Sequence, residues 1–490
     1  MTNDDSLAAE NRAPVLSDRK RWFALAVLCL GVLMIVLDVT IVNVALPTIR
    51  ERLQFTESSL AWVVNAYLLT SGGFLLLGGR LGDLYGHRRL FLIGIGLFTL
   101  ASLACGFAGS QTTLIAARAI QGLGGAVVDA VALSLIVDLF TETGDRAKAM
   151  GVYGFVCSGG GSIGALLGGF LTSALDWHWI FLVNIPIGAG VVALSLALLP
   201  ASRGQSGSRH LDIAGAVTVT TSLMLAIYAI VNGNEAGWMS MQTLGLLAAA
   251  VVLLIAFLVI EARVKVPLMP LGLFKLRNLA TANVVGVLWA AAMFAWFFLS
   301  ALYLQLVLGY TPLQVGLAFL PINVIMAACS LGISAKLVMR FGIKAPLAAG
   351  LACAAAGLLL FARAPVGGDF LIDVLPPMLL LGIGAGIAFN PVLMAAMNDV
   401  APSESGLASG IVNTSFMMGG ALGLAVLASM ASSRSERLLA AGADHLAALN
   451  GGYHLAFLGG AIVALIAAIA GVAFLRTRDA APAETATAPE

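Results

Sequence analysis

The sequence predicts an all-α polytopic membrane protein: two pseudo-symmetric six-helix bundles plus two additional central helices, about fourteen transmembrane helices in all. Three observations carry this reading. The 490 residues are 60% hydrophobic and 10% charged, whereas soluble chains carry about a quarter charged residues. Apolar runs of about 20 residues, enough to cross a bilayer, recur along the whole chain. Basic residues alternate between connections: twenty fall on one side, Arg50, Arg52, Arg363, Arg434 and Arg437 on the other, and Arg118 within a span, which accounts for all 26.

The first run, 22–47, follows Arg19-Lys20-Arg21. It exceeds a secretory hydrophobic region and shows no small-residue cleavage site, so it reads as a retained span. Runs at 57–79, 90–108, 112–137, 147–172 and 178–199 complete a first bundle. Two weaker runs follow at 212–231 and 241–260. The second bundle comprises 279–305, 312–337, 345–362, 370–397, 404–430 and 453–475. The domains are therefore a tail at 1–21, bundles at 22–200 and 266–476, a two-helix insert at 201–265, and a disordered Ala/Pro/Thr-rich tail at 477–490. The basic bias places both termini in the cytoplasm. An echo relates the halves. Leu81, Gly86 and Arg88 in "GGRLGDLYGHRR" align with Leu337, Gly342 and Lys344 in "SAKLVMRFGIKA", and repeated halves are a common transporter plan.

The net charge of +1 argues against a nucleic-acid partner. The five cysteines lie in apolar runs without CxxC spacing, which predicts free thiols. There is no HExxH and no phosphate loop, and no cofactor is expected.

An acid inside a span is a functional candidate by default, and Asp38 sits in the first one. Counting at 1.5 Å per residue, Asp38 lies about 24 Å above the basic face and Arg118 about 9 Å below the other. In a core of about 30 Å the two are at similar depth. An acid that keeps its charge beside an arginine and tends to lose it alone can respond to a moving environment, which proton coupling requires. The alternative is a static ion pair. Asp129 follows Arg118 by about three turns, so both face the same way, with Gln121 near that stripe. A second protonation or cation-binding site competes there with a local packing partner.

Five blocks, in order, resemble the fourteen-span drug:proton antiporter branch of the major facilitator superfamily. They are "LDVTIVNVALPTI", "GGRLGDLYGHRR", "RAIQGLGG", "GVYGFVCSGGGSIGALLGGFL", and "WIFLVNIPIG" with "LYLQLVLGYTPLQVGLAFLP". The resemblance implies a multidrug efflux transporter of the cell membrane that works by alternating access. It implies a conformational latch at Gly79, Asp83, Gly86 and Arg88. It also implies an antiporter glycine face at Gly151, Gly160, Gly164, Gly168 and Gly169. Where the family pattern has proline this chain has Ala165, so the fifth helix should kink less.

The ninth span places Trp289, Met293, Trp296 and Tyr303 on one stripe, suited either to planar lipophilic ligands or to plain packing. Trp62, Asn65, Gln121, Asn323, Asn390 and Met394 are further substrate-cavity candidates. The expected function is proton-coupled export of lipophilic, in part cationic, drugs. The expected partners are the substrate, protons and the lipid bilayer, and the expected state is a monomer. A dedicated exporter of one endogenous metabolite or lipid is the alternative. An intramembrane hydrolase built on Ser162 in "GGSIG" reads poorly, because that motif needs a strand-to-helix elbow. No enzyme is expected.

Overall fold

Long apolar stretches with few internal prolines leave the backbone one way to satisfy its polar groups in lipid, as helices. The computed structural model describes residues 18–140, 142–200, 212–265, 267–397, 400 and 405–476. The predicted tails and the start of the insert lie largely outside them.

Among the described residues fourteen long helices follow one another. The first six are α1 Asp18–Leu53, α2 Trp62–Tyr85, α3 His87–Gly106, α4 Gln111–Leu139, α5 Thr143–Ala174 and α6 Asn184–Leu198. The insert is α7 Ile213–Ala236 and α8 Met241–Arg263. The last six are α9 Arg277–Leu302, α10 Pro312–Ala328, α11 Lys344–Phe361, α12 Leu375–Met397, α13 Ser405–Ala440 and α14 His445–Phe474. Thirteen stretches are long and apolar enough to cross a membrane, and α5 adds a shorter apolar segment, Ile163–Ala174.

Local chemistry fixes the ends. Ser110 and Thr113 form a reciprocal capping box before α4, and Thr311 with Gln314 does the same before α10, where Pro312 occupies the first turn. Gly86, at φ +95°, turns α2 into α3, and Gly342, at φ +71°, makes the equivalent turn before α11. These two glycines of the sequence echo thus share a backbone conformation that side-chain-bearing residues avoid.

The halves repeat one packing scheme. In the first, α1 packs on α5, α2 and α3 pack on α4, and α6 packs on α1 and α3. In the second, α9 packs on α13, α10 and α11 pack on α12, and α14 packs on α9 and α11. The halves meet through α5 against α10 and α2 against α13. Helix α7 lies along the second seam, touching both α2 and α13, while α8 packs chiefly on α7.

The end of the bundle carrying residues 53–62, 174–184 and 302–312, here the distal end, holds several contacts between halves. Gln305 Nε2 donates to the Val44 carbonyl at 2.8 Å, and the Leu313 N–H donates to Ser173 Oγ at 3.2 Å. The position of a Cβ on Gly169 lies 2.6 Å from the Pro312 carbonyl oxygen, so α5 and α10 touch backbone to backbone.

Close approach also sets α2 against α4. A Cβ on Gly122 would lie 2.5 Å from the Tyr67 carbonyl oxygen and 2.2 Å from Thr70 Oγ1, which itself donates to the Ala119 carbonyl at 2.8 Å. Gly122→Ala should therefore destabilise the protein by about 1–3 kcal/mol. Gly96 on α3 has nothing within 4 Å of its Cβ position, so Gly96→Ala should be neutral or better. Thermal unfolding of the two variants side by side checks this.

Candidate functional site

Two charged residues on the interior faces of α1 and α4 anchor the site. Asp38 is 0% exposed and Arg118 1% exposed. Arg118 Nη1 donates directly to Asp38 Oδ2, and to Gln121 Oε1 at 2.7 Å. Gln121 Nε2 donates to Asp38 Oδ1 at 2.7 Å and to Ser102 Oγ on α3 at 2.8 Å. Asn184 Nδ2, at the start of α6, lies 3.4 Å from Asp38 Oδ1 and 3.5 Å from Ser102 Oγ. Arg118 Nε donates to the Val63 carbonyl on α2 at 2.9 Å. The guanidinium lies 4.5 Å from the Tyr67 ring centroid and 5.7 Å from that of Phe181.

Three side chains from two further helices thus donate to one carboxylate, and Ser102 on α3 accepts from two of them. Each contact to Asp38 comes from a donor, the bonding pattern of an ionised acid. The guanidinium supplies the countercharge that a buried carboxylate needs. Protonating Asp38 would set a hydroxyl donor against one of these donors, so the network has to rearrange when the proton arrives.

The glycine face positions this carboxylate. A Cβ on Gly164 would lie 1.9 Å from Thr40 Oγ1 and 3.1 Å from the Leu37 carbonyl oxygen, and one on Gly168 would lie 2.7 Å from the Ile41 carbonyl oxygen. Gly160 faces Val36 in the same way. Small residues let helices approach this closely, so α5 lies against the stretch of α1 that carries Asp38. Ala165 stands within an unbroken α5, and its carbonyl oxygen is 2.5 Å from the Cβ position of Gly316 on α10.

Asp129 is not part of the network. It lies half a turn around α4 from Ile120, which is 46% exposed on the outer surface. It is nonetheless partly exposed, on the opposite side of α4 from Ile120. Between Asp129 and the network lies the Tyr67 hydroxyl, buried and without a hydrogen-bond partner, 2.7 Å from the Cβ position of Gly125. Asn65 on α2 is likewise fully buried, and neither side-chain polar atom has a partner.

The remaining candidates scatter. Trp289 lines a small apolar pocket of about 20 Å³ with Phe389, Val412, Asn413 and Phe416. Trp296 and Tyr303 do not line it and pack inside the second half. Trp296 meets Phe319 and Phe361, and the Tyr303 hydroxyl donates to the Pro365 carbonyl at 2.8 Å. Helix α9 is buried on nearly every side, so one face of it is not singled out by exposure. Met293 is half-buried against the core of that half. Trp62 faces the insert, 6.5 Å from the Tyr228 ring on α7. Asn323 is buried, 3.9 Å from the Cβ position of Gly161 on α5. Asn390 donates to the Ser330 carbonyl at 2.7 Å, and Met394 is 46% exposed.

At the latch loop, Gly79 faces Ala130, and Arg88 Nη2 donates to the Leu196 carbonyl on α6 at 2.7 Å. The side chains of Asp83 and Ser162, and Gly151, lie outside the described residues.

Sequence reasoning named Asp38, Arg118 and Gln121. It missed Ser102 and Tyr67, and it gave Asn184 no part in the site. The depth count could have found Ser102, which lies 15 residues along α3 and about 22 Å from its start, level with Asp38.

Comparison with known proteins agrees with the fold. A family described as the Major Facilitator Superfamily matches residues 28–424. The chain is 38% identical to the puromycin resistance protein of Streptomyces alboniger, covering 96% of this chain and 94% of that protein. It is also 38% identical to the cephamycin export protein of Amycolatopsis lactamdurans, covering 91% of each. A solved structure of an auto-inhibited POT family peptide transporter superposes with a TM-score of 0.67 at 15% identity, over 94% of this chain and 98% of that one, which speaks for the fold alone.

Proposed function

The chain belongs to the major facilitator superfamily, a family of transporters rather than enzymes, and on that premise we propose that it exports lipophilic drugs or antibiotics, cations among them, in exchange for protons. Relatives named for antibiotic resistance and export support the drug-exporter reading. The observation that carries proton coupling is the fully buried Asp38 held by Arg118, Gln121 and Asn184. A titratable group walled off from water at the meeting point of four helices changes its bonding whenever those helices shift.

In this reading the structure is the state closed at the distal end, with Asp38 ionised. Rocking of the halves about the α5–α10 and α2–α13 seams opens the distal side. A proton then reaches Asp38 and the pair with Arg118 breaks. Substrate leaves on that open side, and rocking back then carries the proton to the cytoplasm, where Asp38 loses it. The two sites need not overlap, since each biases the same equilibrium. Asp129, partly exposed on α4, is the cation-facing group, and the apolar surface around Trp289, Phe389 and Phe416 meets the apolar part of the substrate once the halves move apart. Both termini lie in the cytoplasm, and the loop of Gly79, Asp83, Gly86 and Arg88 stabilises one of the two end states.

Purified protein in liposomes under an imposed pH gradient tests the reading. A panel of dyes and antibiotics that includes puromycin should show uphill movement of several lipophilic members. It should collapse when the gradient is dissipated. Movement of a single compound would favour a dedicated exporter, and movement indifferent to the gradient would remove proton coupling.

A further inference from the structure

The sidedness of the basic residues makes Arg434 and Arg437 exceptional. Only five of the 26 lie at the distal end by the sequence count, and two of those five line one cleft there. The cleft has a volume of about 410 Å³ and lies between α7, α13 and α14. Val426, Met430 and Leu455 form its apolar floor, and Trp238 and the two arginines stand at its rim. The arginines are three residues apart on α13, hence on one face. Neither guanidinium has an ion pair or a side-chain hydrogen bond among the described residues. The acid between them, Glu436, is engaged by Ser432 Oγ at 3.1 Å. Two like charges on one face repel and gain nothing from each other.

We propose that this cleft binds an anionic phospholipid. Its phosphate would sit between Arg434 and Arg437, and one acyl chain would run along Val426, Met430 and Leu455. Paired guanidiniums match phosphate oxygens in planar, forked geometry. The floor offers what a bare phosphate ion has no use for. Trp238 suits the interfacial depth, since indoles collect at the level of the headgroups. Its ring lies flat on α7, with atoms 3.2 Å from the Cβ position of Gly233. The cleft also spans the insert and the second half: Ser429 Oγ, beside it, donates to the Ile230 carbonyl of α7 at 3.2 Å. A lipid seated there would tie α7 to α13 on the face away from the Asp38 network.

The test is native mass spectrometry of the detergent-purified full chain, equilibrated with equal phosphatidylglycerol and phosphatidylcholine. Wild type should retain phosphatidylglycerol about tenfold over phosphatidylcholine, a ratio within reach of two charge-assisted contacts. R434Q/R437Q should lose the preference. R363Q, which removes an exposed arginine at the same end but outside the cleft, should keep it. V426W leaves both charges in place and fills the floor, and should also lose lipid, which keeps the proposal testable if the double variant folds poorly. An unchanged preference in R434Q/R437Q would overturn the proposal. Displacement of phosphatidylglycerol by millimolar inorganic phosphate would overturn it too, because it would reduce the cleft to a simple anion site.

Discussion

Asp38→Asn is expected to abolish uphill export while leaving downhill exchange of substrate measurable. The substitution is nearly isosteric, so packing in a fully buried site changes little. Its chemistry changes in two ways. The amide carries no exchangeable charge, so the concentration ratio that wild type builds on a pH gradient should fall to equality. Its Nδ2 also faces Gln121 Nε2 and Asn184 Nδ2, which are both donors. Gln121 cannot simply turn over, because its Oε1 is held by Arg118. Arg118 is then buried without a countercharge, and breaking such a pair from one side costs about 3–5 kcal/mol. Asp38→Glu separates the two effects. The extra methylene costs about 1–3 kcal/mol of overpacking, but the group still titrates, so part of the gradient-driven accumulation should survive. A static ion pair predicts the opposite pattern, with uphill and downhill movement falling together and glutamate no better than asparagine.

Arg118→Ala carries the second large effect. It removes the bond to Val63, the contacts to Asp38 and Gln121, and the cation stacked on Tyr67. The remaining carboxylate is fully buried beside two amides, and the loss of stability should again be about 3–5 kcal/mol. Combining it with Asp38→Asn is the informative step. If the pair acts as a unit, the double variant should recover a kcal/mol or more relative to the sum of the singles, because no uncompensated charge remains. Gradient-driven transport should stay absent. Additive losses in thermal or denaturant unfolding would mean that the two residues are stabilised independently.

Much of the fold was legible because the bilayer constrains it so tightly. All fourteen helices could be counted from apolar run length, and the two hairpin glycines Gly86 and Gly342 stood out in the sequence echo. Helix ends were less legible. α1 starts at Asp18 and reaches Leu53, α13 continues to Ala440, and α14 begins at His445 rather than 453. Apolar run length measures the membrane, whereas a helix continues into water until a turn signal stops it. Arg434 and Arg437, read as loop residues, are therefore helical.

The site was legible where charge made it so. Asp38 and Arg118 could be matched by depth alone, and the structure brings them into contact. Ser102 and Tyr67 carry no charge, and an uncharged polar residue in a span has too many bland explanations to single it out. The stripe on α9 divided for another reason. Periodicity identifies a face only when the other faces differ from it, and Trp289, Trp296 and Tyr303 are all buried, some against a pocket and some within the core.

The most direct measurement of the central claim is proton release on substrate binding, followed with a pH indicator in weakly buffered detergent solution. The account predicts that a transported compound displaces protons from wild type at a pH where part of the population is protonated, and that Asp38→Asn binds the same compound without releasing any. Equal proton release from the two proteins would contradict it.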